Sequence, residues 1–98
     1  MLCYTAAKSG VASMTRSMAV EYAPRKIRVN AIAPSVTMTE RVKRLLSGNE
    51  HLSKLASSHL LGLGQPIHVA NIAVYLASVE TEITTGQILS VDSGVTIY

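Results

Sequence analysis

Two short β-branched segments limit most strongly what this chain can fold into. Residues 26–33 contain the run Ile-Arg-Val-Asn-Ala-Ile-Ala and are closed by Pro34, and residues 87–92 read Gln-Ile-Leu-Ser-Val-Asp. Length and composition favour a strand for each segment. Two strands do not form an independently stable sheet, and an apolar strand with an unpaired edge exposes open hydrogen-bonding groups. The sequence therefore predicts part of a larger sheet, incomplete on its own.

A long helix is predicted before the first strand, over residues 4–23. This stretch contains no proline and one glycine, and Pro24 is expected to end the helix. Its apolar residues recur at three- and four-residue steps, which is the period of one helix face. They are Ala7, Val11, Met14, Met18 and Tyr22. We expect the two methionines to pack in a core or against a partner helix.

Further helices are predicted between the two strands. Residues 38–60 hold two polar, helix-permissive segments separated by Ser47-Gly48-Asn49, and we interpret them as a lid over a substrate. Pro66 suits the first turn of another helix, over residues 66–78. Its expected buried stripe is Val69, Ile72, Ala73 and Leu76. The order helix, strand, lid helices, helix, strand predicts an α/β fold in which two parallel strands are joined by a right-handed crossover.

Composition excludes several classes of protein. A chain of 98 residues allows one domain with a thin core, and 48% hydrophobic with 15% charged residues is typical of a globular chain. The net charge of +3 comes from scattered lysines and arginines, with a mild cluster at Arg41, Lys43 and Arg44. No aromatic residues alternate with that cluster, so we expect no nucleic-acid partner.

Cysteine and histidine usage argues against a disulfide and against a metal site. Cys3 is the only cysteine, and the three histidines, His51, His59 and His68, lie at no metal-ligand spacing and are expected at the surface. The sequence shows no signal-peptide pattern, and its longest later apolar run, residues 73–77, is far too short to cross a membrane. We therefore expect a cytoplasmic protein with no membrane partner.

Tyr4 and Lys8 form the one pair of residues with an evident chemical use. In a helix, residues i and i+4 share a face, so the hydroxyl and the ammonium can approach the same point. A nearby cation favours the phenolate and lowers the pKa of a tyrosine, and an ammonium can also donate hydrogen bonds to a bound diol. A pair at this spacing is expected by chance in roughly one such sequence in six, so spacing alone does not establish catalysis.

The order of motifs along the chain resembles the carboxyl-terminal part of the short-chain dehydrogenase/reductase family. The motifs are Tyr4-x-x-x-Lys8, the strand segment ending at Pro34, Leu76-Ala77-Ser78, Thr85-Gly86-Gln87 and Val91-Asp92-Ser93-Gly94. They cover nearly all 98 residues. The resemblance implies the carboxyl-terminal part of a Rossmann-type parallel-sheet domain, with NAD or NADP as cofactor and a small carbonyl or alcohol as substrate.

The resemblance also implies roles for individual residues. Tyr4 matches the general acid or base that exchanges a proton with the substrate oxygen, and Lys8 matches the residue that binds the nicotinamide ribose and lowers the tyrosine pKa. Four further positions after the first strand match cofactor-binding positions of the family. They are Pro34, Ser35, Thr37 and Thr39.

Three of the matched positions depart from the family pattern. Ser35 replaces the usual glycine after the proline, and Thr37 replaces a valine or isoleucine. If the backbone needs a positive φ at residue 35, a serine resists it and alters the cofactor loop. Ser93 replaces the first glycine of an Asp-Gly-Gly motif near subunit contacts, so we expect its effect on assembly.

Other parts of the family pattern have no counterpart in these 98 residues. They are the glycine-rich turn that receives the cofactor pyrophosphate, the catalytic serine about a dozen residues before the tyrosine, and the relay asparagine. The chain is therefore expected to begin within a domain, and its expected partners are the missing amino-terminal half or other subunits of the family, which form homo-oligomers at full length.

Three interpretations follow. In the first, the chain is the carboxyl-terminal part of a nicotinamide-dependent oxidoreductase and is inactive alone, because nothing holds the dinucleotide within hydride range. In the second, it is a truncated relic without activity. In the third, it is a non-catalytic module that joins full-length subunits through Met14, Met18 and the Val91-Asp92-Ser93-Gly94 segment.

Overall fold

A computed structural model describes residues 2–97, which contain four α-helices and two strands. The helices are α1 (Leu2–Tyr22), α2 (Glu40–Leu46), α3 (Glu50–Ser57) and α4 (Pro66–Ala77), and the strands are β1 (Ala31–Pro34) and β2 (Ile88–Val91). The two strands pair side by side in one parallel sheet, with Ala31 N–H donating to the Gln87 carbonyl and Ser35 N–H to that of Val91. The predicted α/β class with a parallel sheet is confirmed.

The described chain divides into two compact units. One consists of residues 2–32 and 74–89, and the other of residues 33–73 and 90–97.

Helix α1, in the first unit, ends at Tyr22, two residues before Pro24. A short 3-10 turn, Ala23–Arg25, follows it, and Lys26 closes that turn in the left-handed region at φ 58°, with its N–H donating to the Ala23 carbonyl. A left-handed residue after a helix directs the chain away from the helix axis. The end of the predicted helix therefore depends on the proline and on one strained lysine.

The buried face of α1 differs from the predicted stripe. Val11 and Met14 are 55% and 60% exposed, whereas Thr15 and Ala19 are buried. A Cβ built on Gly86 would lie 3.4 Å from the Ala19 Cβ, so the helix packs through a small residue at close range. A prediction from hydrophobicity alone places large apolar side chains on the buried face of a helix. Where a helix packs closely against backbone, only a small side chain fits. Met14 therefore does not pack in a core within residues 2–97, and its packing against a partner helix stays a prediction.

The first strand is shorter than predicted and begins later. Residues 27–30 belong to no strand, and β1 begins at Ala31. The Asn30 carboxamide oxygen accepts from Gln87 N–H at 3.1 Å, and Val29 N–H donates to the Thr85 hydroxyl at 3.0 Å. These side chains occupy hydrogen bonds that a regular ladder would make between backbones. The second strand, predicted over 87–92, extends over Ile88–Val91.

A polar cluster stabilises the interior of the first unit. The Arg28 guanidinium donates to the Thr81 hydroxyl at 3.1 Å and to the carbonyls of Ser78 and Thr84 at 3.3 Å. Thr81 is 2% exposed, whereas Ala19 is the one buried hydrophobic residue among residues 2–97. The Arg28 contacts therefore surround the buried Thr81, while little apolar side-chain surface is buried in this unit.

Helices α2 and α3, in the second unit, occupy the segment predicted as a lid over 38–60. The Thr39 hydroxyl accepts from Val42 N–H at 3.2 Å, and the Asn49 carboxamide oxygen accepts from Leu52 N–H at 3.0 Å. Each side chain satisfies an N–H group at the start of a helix, which is the usual role of threonine and asparagine there. The turn at residues 47–49 therefore separates two short capped helices.

Helix α4 follows the predicted range of 66–78 to within one residue. Three members of its predicted buried stripe, Val69, Ile72 and Leu76, are half-buried, and Ala73 is exposed. None of the helices within residues 2–97 has the length and apolar character that a membrane crossing requires.

Candidate functional site

Tyr4 and Lys8 lie one turn apart near the start of α1, in the first unit. The Lys8 Nζ atom is 5.3 Å from the centroid of the Tyr4 ring, over its face. At this distance the ammonium is attracted by the negative face of the ring. The helix therefore places a cation and a phenol together.

Both side chains of this pair are accessible. Tyr4 is 61% exposed and Lys8 is also exposed. Within residues 2–97, no hydrogen bond occupies the Tyr4 hydroxyl or the Lys8 ammonium. The phenol is therefore free to donate or accept a proton, and the ammonium can donate to hydroxyls of a bound molecule.

The other four predicted site residues follow β1, in the second unit. Pro34 is the last residue of the strand, and Ser35 N–H donates to the Val91 carbonyl at 3.3 Å. The Thr37 hydroxyl donates to the Ser35 carbonyl at 3.1 Å, and Thr39 N–H donates to the Thr37 carbonyl at 2.9 Å. Hydrogen bonds therefore link Ser35, Thr37 and Thr39 in series, and we call this segment with Pro34 the 34–39 loop.

The conformation of Ser35 removes one concern raised by the sequence. Among residues 2–97, the non-glycine residues with positive φ are Lys26 and Ser93. Ser35 needs no glycine-like backbone, so its replacement of a glycine does not strain the loop. The strain lies instead at Ser93, with φ 53°.

His59 is a residue that the sequence prediction placed wrongly. It was expected at the surface with His51 and His68, but it is 6% exposed. Its Nδ1 lies 2.9 Å from the Leu55 carbonyl oxygen, and its Nε2 lies 2.9 Å from the Ser35 hydroxyl. Its own segment carries no signal of burial, because the neighbouring Leu60 and Leu61 are 61% and 91% exposed.

A cavity of about 330 Å³ adjoins His59 in the second unit. Its lining is largely apolar, with two imidazoles and one carboxylate among the polar groups. It is lined by Val36, His59, Leu61, Gly62, Leu63, Gly64, His68, Val91, Asp92 and Ser93. Residues 2–97 contain no group of three or more His, Cys, Asp or Glu side chains placed to hold a metal ion.

Asp92, at the edge of this cavity, is the one site residue with a clear electrostatic shift. Its carboxylate accepts hydrogen bonds from the Thr96 hydroxyl and from Gly94 N–H. These donors, the Thr96 hydroxyl foremost, lower the pKa of Asp92 below its ordinary value because they stabilise the charged form.

Comparison with known proteins assigns the chain to a family. The family model described as enoyl-(acyl carrier protein) reductase matches residues 1–96. The 3-oxoacyl-(acyl-carrier-protein) reductase FabG of Thermotoga maritima is 41% identical over 96 residues, which are 96% of this chain and 38% of the relative. The chain thus spans a little over a third of that relative's length.

Solved structures agree with this assignment. A 4-hydroxyisoleucine dehydrogenase complexed with NADH is 33% identical with a TM-score of 0.87, and the match covers 97% of this chain and 40% of that one. An Agrobacterium tumefaciens protein with bound NADP is 36% identical with a TM-score of 0.86, and the match covers 97% and 39%. The chain therefore belongs to the short-chain dehydrogenase/reductase family, as the motifs of its sequence, its parallel α/β fold and these matches show.

Proposed function

We propose that the chain is the carboxyl-terminal part of an NAD(P)-dependent oxidoreductase that interconverts a carbonyl and an alcohol. The observation that carries the proposal is the position of Lys8 Nζ, 5.3 Å from the centre of the Tyr4 ring, on an accessible helix face. Support comes from relatives named as reductases and dehydrogenases and from similar structures that contain NADH or NADP.

Tyr4 is the proposed proton donor and acceptor. In the reducing direction its hydroxyl gives a proton to the substrate oxygen as that oxygen gains negative charge, and in the oxidising direction the phenolate takes the proton back. A bound nicotinamide supplies or accepts the hydride. An accessible hydroxyl with no hydrogen bond to residues 2–97 suits this exchange, because no contact has to break first.

Lys8 has two proposed tasks. Its positive charge, with Nζ 5.3 Å from the ring centroid, contacts the face of the Tyr4 ring and so holds the phenol in place. Its ammonium has three donors and no hydrogen bond within residues 2–97, so it can hold the hydroxyls of the nicotinamide ribose. The exposed ammonium on the same face as the phenol fits the ribose end of a dinucleotide.

The 34–39 loop is the proposed holder of the nicotinamide end of the cofactor. Pro34, Ser35, Thr37 and Thr39 match cofactor-binding positions of the family, and their mutual hydrogen bonds give the loop a defined shape. The Thr39 hydroxyl already caps α2, so we assign its contribution to the backbone. The cofactor would then meet a loop that needs little reordering.

The test uses a hybrid enzyme, because we expect the 98 residues alone to show no turnover. In the hybrid, this chain replaces the matching segment of the Thermotoga maritima reductase, which supplies the remaining part of the domain. We expect the hybrid to oxidise NADH or NADPH with a 3-oxoacyl thioester, and Tyr4→Phe to lower kcat by at least about a hundredfold. Tyr75→Phe, at another exposed tyrosine, serves as the matched control.

Two results would contradict the proposal. One is a hybrid that folds and binds the dinucleotide but shows no turnover with any carbonyl substrate tested. The other is full turnover in Tyr4→Phe. Titration of the 98-residue chain with NADH and NADPH, beside circular dichroism, tests the separate expectation that this chain alone binds neither cofactor.

A second candidate function is assembly with other subunits of the family. It is favoured by the exposure of large apolar side chains on α1, where Val11 is 55%, Met14 60% and Val20 78% exposed. Such side chains on one helix suit a helix–helix interface. We expect Met14→Glu to lower the oligomeric state of the hybrid in sedimentation, and an unchanged state would contradict this role.

A further inference from the structure

His59 connects the end of the lid to the 34–39 loop. The residue lies two positions after the end of α3, and its imidazole is buried at 6% exposure. One ring nitrogen contacts the Leu55 carbonyl within the last turn of α3, and the other contacts the Ser35 hydroxyl, both at 2.9 Å. A single buried side chain therefore joins two segments separated by 24 positions in sequence.

The two partners determine which ring nitrogen carries the proton in the neutral ring. A carbonyl oxygen can only accept, so Nδ1 carries the hydrogen and donates to Leu55. Nε2 is then an acceptor, and the Ser35 hydroxyl donates to it. That hydroxyl exists only because a serine stands where the family usually has a glycine, so the connection is specific to chains with this replacement.

The 34–39 loop is also held on its other side. Met38 N–H donates to the Gly64 carbonyl at 2.7 Å, and Thr37 forms a parallel bridge with Gly64. Segment 59–64 therefore contacts the loop at both Ser35 and Met38. Removing the His59 contact would free the Ser35 hydroxyl, while the Ser35 N–H stays bonded to the Val91 carbonyl and Met38 N–H to the Gly64 carbonyl.

We propose that His59 is a positioning residue that holds Ser35, and through it the 34–39 loop, in the shape that receives the nicotinamide end of the cofactor. This inference rests on the proposed function. It assigns a role to the serine that replaces glycine: the serine lets the end of the lid fix the loop through one hydrogen bond. Motion of α3 away from the loop would break that bond.

The contact itself is tested on the hybrid by nitrogen-15 NMR. We expect the His59 ring to be in the Nδ1–H tautomer and its Nε2 resonance to move in Ser35→Ala. The exposed His51, on α3, is the internal reference and is expected not to respond. An Nε2–H tautomer at His59, or no response to Ser35→Ala, would overturn the inference.

The consequence is tested on the hybrid by comparing NAD(P)H with ADP-ribose, which lacks the nicotinamide. We expect His59→Leu and Ser35→Ala each to weaken NAD(P)H binding about three- to tenfold, the loss typical of one hydrogen bond, and to leave ADP-ribose binding unchanged. The double variant should lose no more than either single one. His59→Gln, which can both donate and accept, should restore most of the affinity.

The outcomes separate this inference from the proposed function. If His59→Leu matches the control His51→Leu, or weakens ADP-ribose equally, the positioning role is overturned while the proposed function stands. If Tyr4→Phe keeps full turnover but His59→Leu weakens NAD(P)H alone, the proposed catalytic role falls and the positioning role stands. A folded hybrid that binds no dinucleotide overturns both.

Discussion

Ser93 shows how two opposing effects can nearly cancel at one residue. Its backbone is in the left-handed region at φ 53°, while its hydroxyl accepts from Leu61 N–H at 2.6 Å. A left-handed residue costs about 1 kcal/mol without glycine, and one hydrogen bond contributes about 1 kcal/mol. The free-energy cost of backbone strain at Ser93 is therefore roughly equal to the stabilisation from its hydroxyl.

Two substitutions at Ser93 separate these effects. We expect Ser93→Gly to leave the free energy of unfolding within about 0.5 kcal/mol of the wild type, because the relief of strain offsets the lost hydrogen bond. Ser93→Ala keeps the strain and loses the bond, so it should destabilise the fold by about 1 kcal/mol. Urea unfolding of the hybrid measures both, and equal effects of the two variants would contradict this account.

Asp92 gives stability a dependence on acid. Its pKa is lowered in the folded chain by the hydrogen bonds from Thr96 and Gly94, so the folded state favours the charged carboxylate. The stabilisation is then present above the ordinary pKa of 3.8 and is lost as the pH falls through the lower folded value. We expect Asp92→Asn to flatten the acid side of the stability curve below about pH 4 in thermal melts of the hybrid. If the melting temperature of Asp92→Asn falls with acid as steeply as that of the wild type, this account is contradicted.

At the scale of single residues, the sequence predicted some positions and missed others for physical reasons. Tyr4 and Lys8 could be paired because helix geometry fixes which residues share a face. His59 could not be placed, since its burial depends on a hydroxyl 24 positions away, and local patterns do not report such contacts. The contact of Ser35 could not be predicted either, because its partner His59 lies 24 positions away in the sequence.

Asn30 is the side chain that makes β1 begin late. Its carboxamide nitrogen donates to the Thr84 carbonyl at 2.9 Å, and its oxygen accepts from Gln87 N–H at 3.1 Å. The amide thus bridges the segment before β2 in the way a backbone peptide would. This contact stabilises the entry to the sheet, where a regular ladder is missing.

Replacing Asn30 tests that description at the level of the strand pair. Asn30→Asp keeps the size and the acceptor but puts a carboxylate against the Thr84 carbonyl, so we expect a loss of about 2 kcal/mol in unfolding free energy. Asn30→Ala leaves no charge facing the Thr84 carbonyl, so its loss in unfolding free energy should not exceed that of Asn30→Asp. Asn71→Asp, on the exposed surface of α4, is the control and should change little. An equal effect at both sites would contradict the bridging role.

For the helices and strands, the presence of an element was easier to predict than its first and last residues. The helices α1 and α4 follow from long periodic segments bounded by prolines, and the short strands follow from β-branched runs. The start of β1 was missed because the side chains of Asn30 and Thr85 take over the pairing there. The buried face of α1 was missed because Gly86 selects a small partner, Ala19, where hydrophobicity favoured Met14.

At the scale of the whole molecule, little of the apolar surface is covered. Among residues 2–97 Ala19 is the one buried hydrophobic residue, while Leu61, Val79 and Ile83 are 91%, 81% and 94% exposed. The sheet has two strands. The sequence predicted this incompleteness from the two short strands alone, because a two-stranded sheet buries too little surface to be stable independently.

The 98-residue chain is expected to unfold with low cooperativity. Because a two-stranded sheet and a small buried core contribute little stability, we expect the 98-residue chain to melt broadly and to bind a dye specific for exposed apolar surface. In the hybrid, additional strands and helices can cover side chains such as Leu61 and Ile83, so unfolding should become sharp and dye binding should fall. Calorimetry and dye fluorescence of both proteins measure this. A sharp transition above about 60 °C for the 98 residues alone would contradict this prediction.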